Sequence, residues 1–145
     1  MNKLLLILVP LALAAPARAD KAAPLISVVH SHGMDVGPSG FEIYASGAWH
    51  VYHNDPKAMD TLDASGKLTA KELASVKEAL AKAPWKVTHD EIVCDAMAIG
   101  STDWTMGKHT FSQVLCGHDS IDGTTQKAFS LVEKLEQQYT PQKAR

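Results

Sequence analysis

Arginine is almost missing from this chain: Arg18 and Arg145 are the two present among 145 residues. A site that grips phosphate or carboxylate through bidentate guanidinium forks is therefore not expected. Lysines are scattered singly and the formal net charge is −2, which argues against a nucleic-acid partner. Glycine-rich loops that cradle phosphate at a helix start are absent, as is the C-x-x-C spacing of redox-active pairs. Gly37-Pro38-Ser39-Gly40 lacks the G-x-S-x-G order of a nucleophile elbow. His118-Asp119-Ser120 holds the residue types of a triad, but consecutive residues cannot align as nucleophile, base and orienter. Catalysis is thus left without a residue to name, and the reading leans away from an enzyme.

Long apolar runs are missing too. The longest, Leu4 to Ala15 with Pro10 inside it, is too short to span roughly 30 Å of hydrocarbon as a helix. Lys3 before it and Ala17-Arg18-Ala19 after it match a cleavable export signal over residues 1–19, with Asp20 as the mature start. No cysteine follows the cut, so no lipid anchor is expected. The remainder, residues 20–145, suffices for one domain with its own core. A periplasmic or secreted location follows as the expectation. Cys94 and Cys116 are the only cysteines, and in an oxidising compartment such a pair reads as a disulfide. Closing that loop stabilises by roughly 3 kcal/mol in the chain-entropy model.

Residues 25–32 are rich in β-branched side chains between Pro24 and Gly33, and predict a strand. Phe41–Ala45 and Ala48–His53, joined by a turn at Ser46-Gly47, predict a hairpin. Residues 54–68 read as polar connection. Thr69-Ala70-Lys71-Glu72 spells a capping box, followed by Leu73, Val76, Leu80 and Ala83 at helical spacing until Pro84. A second hairpin is expected over 90–98 and 108–116, with Cys94 across from Cys116. That register sets Ala96 opposite Val114 and Ala98 opposite Ser112, with the turn around Gly100–Gly107. Asp119, Ser120 or Asp122 then caps a helix with the stripe Ala128, Leu131, Val132, Leu135 and Tyr139. The expected fold is α+β: one antiparallel sheet in the order β-β-β-α-β-β-α, two helices packed on one face, and one disulfide.

Three groups of residues are candidate sites. Thr61 to Glu72 nearly fits a twelve-residue calcium loop, but Thr61 stands where Asp is required and no entering helix precedes it. Calcium is accordingly disfavoured against a turn running into a helix cap. His30, His32, His50 and His53 fall in the first three strands and could hold Zn²⁺ or Cu²⁺, with Met34 or Asp35 nearby. Strand alternation lets only one of His50 and His53 join His30 and His32, and ordinary surface histidines are the competing account. Trp104 and Met106, at the tip of the second expected hairpin, and the loop containing Gly33 and Gly37 are candidate protein-contact sites. Packing of Trp104 back onto the domain is the alternative.

Ile26-Ser27-Val28 running to Gly33, the Ser46-Gly47 turn, Leu68-Thr69-Ala70-Lys71-Glu72-Leu73 opening a helix and a last helix ending near Leu135 form a recognisable plan. It resembles that of a group of small bacterial proteins that includes the emfourin-type inhibitors of metalloproteases. The resemblance implies an architecture more than an activity, and no inhibitory residue is carried over from it. The Cys94/Cys116 pair and the histidines of the first strands depart from that plan. The functional expectation is an exported binding protein acting through protein–protein contact, with hydrolase inhibition as one form of it. A metal-binding protein without a further cofactor and a hydrolase with an unfamiliar site are the alternatives.

Overall fold

Alternation of large apolar and small or polar residues gives each long strand one core face. In the structure, a computed structural model, residues 22–31, 37–55, 59–89, 100–114 and 119–141 are described. Six strands form an antiparallel sheet in the spatial order β4-β3-β2-β1-β6-β7: β1 (Ile26–Ser31), β2 (Ser39–Ile43), β3 (Ala48–Asp55), β4 (Met59–Lys67), β6 (Ser101–Met106) and β7 (His109–Val114). Two short strands, β5 (Val87–Thr88) and β8 (Ser120–Ile121), pair separately. Helix α1 (Ala70–Lys82) follows β4, and α2 (Gly123–Tyr139) ends the described chain. The α+β class with two helices is therefore as expected, whereas the element order is not.

The core lies between one sheet face and the helices. Ile26 and Val28, Phe41 and Ile43, Trp49 and Val51, Trp104 and Phe111 project to that face and meet Val76, Leu80, Ala128, Phe129, Val132 and Leu135. Burying side chains of this size stabilises by roughly 1.5–3 kcal/mol each. Both helix starts are capped as read from sequence. The Thr69 hydroxyl accepts from the Glu72 N–H while Glu72 accepts from the Thr69 N–H, and Asp122 accepts from the N–H groups of Thr124 and Thr125.

Residues 59–67 correct the expected connection: they form the edge strand β4. Asp60, Thr61, Asp63, Ser65 and Lys67 hide it from a search for apolar alternation, yet charge is what an edge strand tolerates. A bulge facing Val51 and Tyr52 leaves Asp63 without a ladder partner, since Val51 pairs with Ala64 and Tyr52 with Leu62. Gly66 sits under the Trp49 ring, where an added Cβ would lie 2.5 Å from the indole. The same strand takes in the first seven places of the twelve-residue calcium frame. Thr61–Lys67 is extended, and Glu72 is engaged by the Thr69 N–H at 2.8 Å and the Tyr139 hydroxyl at 3.0 Å.

The second hairpin is corrected at its turn. Val114 pairs with Ser101 and Ser112 with Asp103, so residues 101–106, expected within the turn, form strand β6; the expected partners Ala96 and Ala98 lie outside the described residues. The reason is the tight turn at Gly107-Lys108, where Gly107 adopts φ 57°. That turn carries Trp104 into mid-strand across from Phe111, on the core face. Cys94 and Cys116, and with them the expected disulfide, lie outside the described residues.

Candidate functional site

The core gives way to polar residues at one end of the sheet. Strand ends Ser31, Ser39, Asp55, Met59, Ser101 and Val114 all lie there. One rung across that end is set by register: Thr102, His30, Ser39, His53 and Thr61 stand side by side on successive strands. They continue the helix-facing rows Ile26–Val28 and Phe41–Ile43 by alternation.

Helix α2 supplies the charge above this rung. The Glu136 carboxylate meets the Nε2 of His30 at 3.0 Å through both oxygens, and His30 Nδ1 lies 3.1 Å from the Thr102 hydroxyl. The hydrogen bond to Glu136 raises the His30 pKa above its usual 6.5, and the Glu136 and Glu133 charges add to it against the opposing effect of burial. Burial pushes the Glu133 carboxyl up as well, with Glu136 adding repulsion. Farther along the rung, His53 Nδ1 contacts Asp63, the bulged residue of β4, at 2.8 Å. His30 and His53 thus share a face but face different carboxylates, with Ser39 between them.

His50 pairs with Glu42 across β2 and β3, on the opposite face from Trp49. Its ring packs on Tyr44 with centroids 4.9 Å apart, and its Nδ1 is 3.9 Å from Glu42. His50 therefore cannot join His30, while His53 lies on the His30 side; His32 is outside the described residues. Among the described residues no group of three or more His, Cys, Asp or Glu side chains converges as metal ligands.

The outer face carries a second rung that sequence reading missed. Asp103, Val29, Gly40, Tyr52 and Leu62 are register neighbours, in that order. Tyr52 lies across Gly40 so closely that a Cβ there would sit 2.5 Å from its ring. Leu62 is 52% exposed. Trp49 and Tyr52 therefore point to opposite faces, as their odd spacing requires. The missed signal was β4 itself: without that strand, Leu62 had no neighbours.

Trp104 is corrected as a contact residue. It is 1% exposed and stacks on Phe129, so it cannot meet a partner without opening the core. Met106 is half-buried against the same core. Gly37 is half-buried just before β2, and Gly33 lies outside the described residues. Among the described residues, no helix is long and apolar enough to cross a membrane. No protein-family model matches the chain, and no curated protein is detectably similar to it.

Proposed function

We propose that this is an exported binding protein whose partner, another protein, docks on the outer face of the six-stranded sheet. The observation that carries the reading is the Val29–Gly40–Tyr52–Leu62 rung. Exposed leucine beside a tyrosine held close against glycine offers apolar surface, and such surfaces mark contacts. Asp103 ends the rung and Glu42 stands one residue beyond Phe41 on the same outer side. The complementary partner surface has an apolar centre and a basic rim. Inhibition of a hydrolase is one form this contact takes, and the likeness to emfourin-type inhibitors makes an exported metalloprotease the first partner to assay.

Leu62→Asp tests this directly, because an exposed position can accept charge without unfolding the sheet. The expected result is retained circular dichroism and melting, with loss of binding to a partner that the wild type and a Lys127→Ala control both hold. Undiminished binding by Leu62→Asp removes this face from the proposal.

A further inference from the structure

Among the described residues, the ion pairs between different elements are made by imidazole. Among the described residues, His30 meets Glu136 at 3.0 Å, His53 meets Asp63 at 2.8 Å, His89 meets Asp119 at 3.0 Å and His50 approaches Glu42 at 3.9 Å. The lysine pair among the described residues, Lys82 with Glu78, is internal to α1 and exposed. Among the ion pairs of the described residues, charge therefore ties one element to another through a protonated imidazole.

The His30 pair is the one with structural reach. It joins β1 to α2 across 106 residues of sequence and is half-buried. It also lies one turn before Tyr139, whose ring stacks on Trp49 at 4.6 Å. We propose that protonation of His30 works as a clamp that fastens the C-terminal half of α2 over the polar end of the sheet, closed in mild acid and looser in mild alkali. The groups facing His30 among the described residues are Glu136 and Glu133 from α2, Thr102 from β6 and Ser39 from β2; His53 with Asp63 stands one strand farther. Burial opposes proton uptake on His30, and the hydrogen bond and charge of Glu136 favour it. Deprotonation need not break the contact, because a neutral ring still donates one hydrogen to Glu136. What is lost is the attraction between imidazolium and carboxylate, since Glu136 keeps its charge while the ring gives up its own. The sign follows: the folded state holds the proton more tightly than the unfolded one. The clamp's stabilisation is full below about pH 6.5 and fades as pH rises through the raised His30 pKa.

Amide exchange in the last two turns of α2, corrected for the intrinsic rate, reads the clamp. Between about pH 5.5 and about pH 8.5 the opening equilibrium of the wild type should grow by roughly three- to tenfold. In His30→Gln and in Glu136→Gln it should stay level over the same range. An opening equilibrium that does not change with pH in the wild type, or changes equally in both variants, overturns the proposal. An NMR titration of the His30 ring in the unmodified protein covers the case in which a variant fails to fold. A midpoint above 6.5 supports the clamp, and one at or below 6.5 rules it out.

Discussion

The indole of Trp104 lies flat on the ring of Phe129, with centroids 4.0 Å apart and planes 2° from parallel. Trp85 meets the same Phe129 edge-on at 5.1 Å, and Phe111 lies 6.0 Å away. One phenylalanine of α2 thus gathers the aromatic residues of β6, β7 and the segment after α1. This contact turns a residue that sequence alone offered to a partner into the centre of the core.

Trp104→Ala should cost about 3–5 kcal/mol in urea unfolding, the usual range for deleting a large buried aromatic. Trp104→Phe should cost less than half as much. It keeps the stacking and removes a buried indole N–H that finds no acceptor among the described residues. Equal losses in the two variants would mean that the ring contact is not what holds α2 to β6.

Gly66 and Trp49 should behave as one unit. An added methyl at Gly66 meets the indole at 2.5 Å, so Gly66→Ala should destabilise by about 1–3 kcal/mol. Combined with Trp49→Leu, the same substitution should add little further loss. Strict additivity in that double-mutant cycle would show that the close approach is not maintained in solution.

Asp122 links the start of α2 to the chain ahead of β5. Its carboxylate accepts from the Thr125 hydroxyl and from the N–H groups of Thr125, Thr124 and Lys86. Desolvation alone would raise its pKa, but these hydrogen bonds outweigh it and hold the value at about 2 instead of 3.8. Stability from this group is therefore full above about pH 4 and is lost as pH falls through about 2. Asp122→Ala should lower the melting temperature at neutral pH and flatten the acid limb of the melting curve. A variant with the wild-type acid limb would show that other carboxylates govern it.

Cys94 and Cys116 are expected to be joined in protein recovered from its native compartment. Intact mass should be two hydrogens below that of the reduced chain, with an N-terminus at Asp20. Reduction should then lower stability by roughly 3 kcal/mol. Two free thiols and an uncut N-terminus would remove both the bridge and the export reading.

Local chemistry made several elements legible. Thr69 and Glu72 define a helix start by short-range hydrogen bonds, and Asp122 does the same for α2. Strand β1 and the hairpin of β2 and β3 announce themselves by β-branched and aromatic alternation around Gly47, which turns the chain at φ 87°. Strand β4 was illegible because its stability comes from pairing with β3, not from its own polar residues. The β6–β7 register is set by the two-residue turn at Gly107-Lys108, a local signal that a pairing built on the two cysteines passes over.

From residue order alone, the chain's class, its helix caps and the first hairpin could be stated, because each rests on interactions within a few residues. Which histidine meets which carboxylate, and that Leu62 stands beside Tyr52 while Trp104 is enclosed, depend on strand register and on the path of α2. Those are settled by how large apolar side chains from distant segments fit together in one core, and a one-residue slip would reverse every face involved.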